Sequence, residues 1–143
     1  MIRTDTPALW RAMRALPLAC RFGAAPPELR ARHGVAAQPV MPPDDRFLDD
    51  LHAALAGLPD ALTARVDPLL LGVFYLDGLG SCLVTDVVAA HDGALVGSLI
   101  AIDENALRDV RTERASMRRA ALQYLLTEAF DQVLASWRPA LEA

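Results

Sequence analysis

The apolar positions change period twice along the chain. From Thr6 to Leu16 they follow helical spacing: Leu9, Trp10, Met13 and Leu16 recur every three to four residues. Thr6 offers a capping hydroxyl, Pro7 suits the first helical position, and Pro17 ends the run. Residues 23–27, "GAAPP", predict a linker, and Pro27-Glu28 opens a short helix that Gly34 closes. "VAAQPVMPP" (35–43) carries three prolines and predicts extended, irregular chain. Asp44 or Asp45 then caps a helix over 45–57, with Phe47, Leu48, Leu51, Ala54, Leu55 and Leu58 on one stripe. Pro59-Asp60 starts a further helical stretch that stops before Asp67-Pro68.

At residue 69 the pattern turns to strands. "LLLGVFYLDG" is nearly continuous in apolar residues and predicts a buried strand. "GLGS" (78–81) is a turn, "CLVTDVVAA" (82–90) a second strand, and "HDG" (91–93) a hairpin turn whose Asp92-Gly93 is the strongest local hairpin signal in the chain. "ALVGSLIAID" (94–103) returns as the third. The expected fold class is therefore α+β: a three-stranded antiparallel meander packed against helices. The last helix is expected over 112–137, capped by Thr112, with Ala115, Leu122, Leu125, Leu126, Ala129, Phe130, Val133 and Trp137 on its apolar face. At about 1.5 Å per residue it is almost 40 Å long, enough to cross the sheet.

With 143 residues the chain is read as one domain, 1–143, with 1–46 as an N-terminal helical and irregular extension and 47–137 as the core. Hydrophobic residues make up 53% and charged residues 22%, a globular balance. The net charge of −4 argues against a general phosphate-binding surface, so nucleic acid is not an expected partner. All 14 basic residues are arginine, which together with the abundant alanine points to a GC-rich bacterial genome. No run approaches the ~20 apolar residues of a membrane span. "LPLAC" (16–20) has the look of a lipoprotein cleavage site, but Arg11 and Arg14 leave too short an uncharged run before Cys20 for a signal core. A cytoplasmic protein is expected, with Cys20 and Cys82 as two reduced thiols.

The order of elements, with "LLGVFYLDGLGS", "LVTDVV", the Asp-Gly hairpin, "SLIAID" and a helix containing "RRAALQYLLTEAFDQVL", resembles small bacterial zincin-like proteins over residues 47–134. The closing helix of that group carries the metallopeptidase motif His-Glu-x-x-His. Two histidines one turn apart hold Zn²⁺ at about 2.0–2.1 Å, and the glutamate polarises the zinc-bound water. Aligned on "QYLL", the motif here becomes Thr127-Glu128-Ala129-Phe130-Asp131, so both histidines are absent. A hydroxyl is a poor zinc ligand, and one carboxylate does not make a zinc site. No metal and no cofactor are expected, and a zinc peptidase is argued against. The resemblance implies a cleft beside the helix, with Thr127, Glu128, Asp131, Tyr124 and Ile100 as ligand-contacting residues and strand 94–103 as an edge that a peptide could extend.

Three functions stay open at this point. The first is a non-catalytic binding or regulatory module for a peptide, a protein or a small molecule. The second is an enzyme that uses Glu128 and Asp131, neighbours at i and i+3, as acid and base or as ligands of Mg²⁺ or Ca²⁺; the plainer expectation is that both lie on a solvated face with Arg118, Gln123 and Gln132. The third is a small accessory or inhibitor protein. Other candidates are weaker. Cys82 lies in an apolar strand and is read as a core thiol. Ser81 lacks a Gly-x-Ser-x-Gly context, and "DGLGSC" lacks a phosphate loop's lysine and helix. Arg108, Arg111, Arg114, Arg118 and Arg119 interleave with Asp103, Glu104, Asp109 and Glu113, which reads as a salt-bridged surface. His33, His52 and His91 are scattered, none on the last helix.

Overall fold

A computed structural model describes residues 1–33, 45–76, 79, 81–103 and 114–141, and of residues 24, 45 and 138–141 the backbone alone. The expectations for Gly34, for 35–43, for Asp44, for Gly78 and Gly80 of the 78–81 turn, and for Glu104, Arg108, Asp109, Arg111, Thr112 and Glu113 lie outside those residues. The elements run β1 (Ile2–Thr4), α1 (Pro7–Arg14), a 3₁₀ turn (Leu18–Cys20), β2 (Phe22–Ala24), α2 (Pro27–Arg32), α3 (Asp45–Ala56), α4 (Asp60–Val66), β3 (Leu70–Leu76), β4 (Leu83–Ala90), β5 (Leu95–Asp103) and α5 (Ala115–Leu141). Among the described residues no helix is long and apolar enough to cross a membrane.

The fold is α+β, but the meander is corrected. The sheet has five strands in the order β1-β4-β5-β3-β2 and is mixed. Only β4 and β5 pair antiparallel; β3 pairs β5, β2 pairs β3 and β1 pairs β4, all parallel. The chain therefore leaves β3, crosses the end of β5 and enters β4 on its far side. Asp103 secures that crossing: its buried carboxylate accepts from the Leu79 amide at 3.0 Å, and its own amide donates to the Cys82 carbonyl at 3.0 Å. The physical reason for this order is burial. β3 and β5 are apolar on both faces, so they take the two positions that helices cover from both sides. β4 carries Thr85 and Asp86 and lies further out.

Residues 1–33, read from sequence as an extension, supply both edge strands and one of the two helical layers. On one face, Trp10 of α1 and Leu29 of α2 pack on Leu71, Phe74, Leu76, Leu99 and Ala101. The Trp10 and Phe74 rings meet edge to face, with centroids 5.5 Å apart. On the other face α3, α4 and α5 bury Leu51, Leu55, Val66, Leu126, Phe130 and Val133 against Leu70, Val73, Ile100 and Ile102. α5 thus buries positions 122, 126, 129, 130, 133 and 134, a stripe of helical period.

Two neighbouring irregularities tune the first face. Leu70 pairs Ser98 and Gly72 pairs Leu99, leaving Leu71 extra on β3; Val88 pairs Gly97 and Ala89 pairs Leu95, leaving Val96 extra on β5. Each bulge turns an additional apolar side chain toward α1, where Leu71 and Val96 are both buried. The Val96 carbonyl at this bulge accepts from Arg14 Nη1 at 2.7 Å. Glycine is required where the strands close up: a Cβ on Gly97 would stand 2.6 Å from Leu71 Cγ and 3.0 Å from the Leu69 carbonyl. Gly23, on the edge strand β2, has nothing within 4 Å of such a Cβ. We expect Gly97→Ala to lower stability by about 1–3 kcal/mol. Gly23→Ala should leave it unchanged or raise it by up to about 1 kcal/mol. Urea midpoints of the two variants compare them directly, and equal midpoints would remove the close-packing argument.

Candidate functional site

The residues singled out on the last helix differ in exposure and do not share one face. Turning 100° per residue from the buried stripe, α5 carries Tyr124, Glu128 and Asp131 to its opposite face, where all three are exposed. Thr127 is half-buried, and its hydroxyl donates to the Gln123 carbonyl one turn back at 2.7 Å. Glu128 accepts from the Tyr124 hydroxyl and, together with its charge, raises the tyrosine's pKa. Ile100 is 0% exposed and lies within the core against α5. The strand that carries it is the centre of the sheet, so 94–103 is not an edge; the edges are β1 and β2. Asp86 pairs Leu99, four residues short of Asp103 along β5, which offsets the two positions by about 13 Å along the strands.

Other candidate groups have structural partners. Neither Cys20, which is exposed, nor Cys82, half-buried at the rim of the core, forms a disulfide. His91 is exposed and paired with Asp5, while the exposed His52 ring rests 5.0 Å from that of Phe22. His33 ends α2 with its Nε2 buried and without a hydrogen bond; burial and the charge of Arg32 push its pKa down, and Asp86 pulls it up. Among the described residues no three His, Cys, Asp or Glu side chains come together in a way that could hold a metal ion.

Three polar groups that sequence reasoning missed prove to be central. Arg21 is buried; its guanidinium donates at 2.8 Å to the carbonyls of Leu16, Asp67 and Leu70 and pairs with the Asp67 carboxylate. It ties the first helical layer to the start of β3. Asp50 is buried on α3, 2.6 Å from Arg118 Nε and 3.1 Å from Arg119 Nε of α5. Burial pushes its carboxyl up, but the two guanidinium hydrogen bonds and charges outweigh that and hold it below the usual carboxylate range. Its sequence signal was a carboxylate at helical spacing inside the Phe47–Leu51–Ala54 stripe.

The third group, Glu28, borders an apolar hollow among the described residues. Thr6, Leu9, Trp10, Met13, Pro26, Pro27 and Glu28 line a groove of about 510 Å³ between α1 and the start of α2. Its lining is almost wholly apolar, and Leu9 stands 68% exposed at its mouth. Trp10 is fixed below it by its indole N–H, which donates to Thr4 Oγ1 at 2.9 Å. One carboxylate oxygen of Glu28 accepts from the Thr4 and Thr6 hydroxyls at 3.2 and 3.3 Å. Among the described residues no cationic side chain pairs with that carboxylate. The volume falls in the range of small-ligand and side-chain pockets. The signal was present in sequence as Leu9, Trp10 and Met13 on a helix too short to bury them all. Compared with protein-family models, with curated proteins and with solved structures, the chain matches none, so the zincin-like resemblance rests on the sequence alone.

Removing the Asp50 charge tests the junction of α3 and α5. Asp50→Asn should cost about 3 kcal/mol, the lower end for opening a buried ion pair, because Arg119 is half-exposed. A carboxyl held low in the folded state contributes stability that is present above its unfolded value and is lost as pH falls through the folded value. The acid-side decline of the native protein below about pH 4 should therefore flatten in Asp50→Asn. Denaturant titrations at several pH values read both effects, and an unchanged acid limb would remove Asp50 from this role.

Proposed function

We propose that the protein is a non-catalytic binding module, and that the groove between α1 and α2 takes an apolar segment of a partner protein carrying a cationic side chain. The observation that carries this reading is the pairing of an apolar hollow of about 510 Å³ with the Glu28 carboxylate at its border. Leu9 and Met13 offer apolar surface over the buried Trp10, and the exposed Leu16 follows just beyond the end of α1. At about 25 cal/mol per Å², covering such surface is the main source of affinity. Glu28 adds direction: held by two hydroxyls, it can receive an arginine or lysine head with little loss of side-chain freedom. An amphipathic helix laid along α1 would meet both features.

This keeps the expected class, a module for a peptide or protein, and moves its site away from the last helix. Glu128 and Asp131 are exposed, a poor setting for an acid–base pair, which weighs against the enzymatic reading. An accessory or inhibitory role is one use of such a module.

The probe is a capped helix-forming peptide with leucines at i, i+4 and i+7 and one arginine, set against the same peptide with glutamate in its place. Backbone and indole N–H signals should shift at Leu9, Trp10 and Glu28 with the arginine peptide. Glu28→Gln, which keeps an acceptor for both threonines, should weaken that binding about tenfold, the size of one charge-assisted hydrogen bond. Leu9→Asp should abolish it. Equal affinity for the glutamate peptide, or shifts confined to other faces, would overturn the proposal.

A further inference from the structure

The outward face of α5 has a pattern of its own, independent of the groove. Arg114, Met117, Ala121, Tyr124, Glu128 and Asp131 follow one another at alternating intervals of three and four residues, opposite the buried stripe. Met117 and Tyr124 are 54% and 64% exposed, two of the larger apolar exposures among the described residues. Charge is segregated along this stripe: the basic residue stands at the helix start, and the two acidic residues lie farther on. Within one molecule that arrangement is unfavourable at the start, where Arg114 opposes the positive end of the helix dipole.

We propose that this face is a homodimer interface, in which α5 packs antiparallel against α5 of a second copy about a two-fold axis near residues 122–123. The alternating spacing sets the layers. Arg114 meets Asp131 of the second copy, Met117 meets the stem of Glu128, and Ala121 receives the ring of Tyr124. Each layer occurs twice by symmetry, so the interface is self-complementary. Antiparallel pairing brings Glu128 and Asp131 to the start of the neighbouring helix, relieving both the dipole clash and the unpaired charge. Ala120 and Ala121 are small enough to let the backbones approach. The contacting length from 114 to 131 is about 26 Å. One helix pair of that length buries no more than roughly 1,200 Å² in total, the class of weak, reversible dimers. The groove of α1 and α2 lies across the sheet from α5, so both grooves would stay open in the dimer, and a partner with two docking segments would gain avidity.

Sedimentation velocity over roughly 5–500 µM spans the range in which so small an interface is read. The sedimentation coefficient should rise with concentration from monomer to dimer, and the rise should shrink in high salt. Tyr124→Asp should abolish it without changing the far-ultraviolet circular dichroism. Arg114→Asp and Asp131→Arg should each weaken association at least tenfold, and the double exchange should restore it, because the two positions face each other across the axis. Arg114→Asp also places a good capping residue at the helix start, so its monomer should melt no lower than the parent, which separates lost association from lost folding. A monomer at every concentration, a dimer indifferent to Tyr124→Asp, or a double exchange no better than the singles would each overturn the proposal.

Discussion

Two strands that are apolar on both faces dictate the rest of this molecule. Leu70 and Val73 point to one side of β3 while Leu71, Phe74 and Leu76 point to the other; Ile100 and Ile102 oppose Leu99 and Ala101 on β5 in the same way. A sheet open to water on one face would strand half of these side chains, at about 1.5–3 kcal/mol for each large one. Both faces must be covered, and α3, α4 and α5 can cover only one. The N-terminal quarter is thereby drawn into the fold: α1 and α2 form the second layer, and the short strands before them, β1 and β2, close the sheet.

Layers assembled from distant parts of the chain need polar fastenings, because hydrophobic contact does not by itself fix register. Each junction here has one. Arg21 joins the 3₁₀ turn to α4 and β3 through four acceptors, and Asp50 joins α3 to α5 through two arginines. Asp103 secures the crossing loop, and the Trp137 indole donates to the buried Ser98 hydroxyl at 2.6 Å, locating the far end of α5 over the middle of β5. These groups are buried yet satisfied, the condition under which a polar group specifies an arrangement instead of weakening it.

How much of this can be read from sequence depends on the range over which each signal acts. α1, α3, α4 and the β4–β5 hairpin are visible because prolines, Asp92-Gly93 and apolar periods act within a few residues, whereas the expected Thr6 cap is not made and its hydroxyl goes to Glu28 instead. The two edge strands are invisible for the complementary reason: three residues such as "IRT" or "FGA" carry no period, and their hydrogen bonds go to partners some 50 to 85 positions away. The order of the strands fails at the same point. The hairpin signal rightly joins β4 to β5, but nothing local states that β3 passes beyond β5, and only the two-sided apolarity of β3 hinted that it sits inside. Position 127 and its neighbours read as members of a motif, but their accessibility is decided by rotation about the helix. A turn that buries Leu126, Ala129, Phe130 and Val133 must send Glu128 and Asp131 away from the sheet.

That rotation also explains why α5 has two unrelated surfaces. Its inner stripe answers to the sheet and is filled with Leu, Phe and Val; its outer stripe is under no such demand, and helix propensity alone would favour Ala, Glu, Lys or Arg there. Tyr124 and Met117 depart from that economy, as does an arginine at the positive end of the helix. The same argument applies to α1, where Trp10 is buried and Met13 half-buried, but Leu9, and Leu16 just beyond the helix, are exposed. Largely exposed apolar side chains are found on one helix of each layer, beside a carboxylate in both cases: Glu28 next to α1, and Glu128 next to Tyr124. Packing between the layers accounts for the buried residues of both helices, and it makes no demand on these two outer faces.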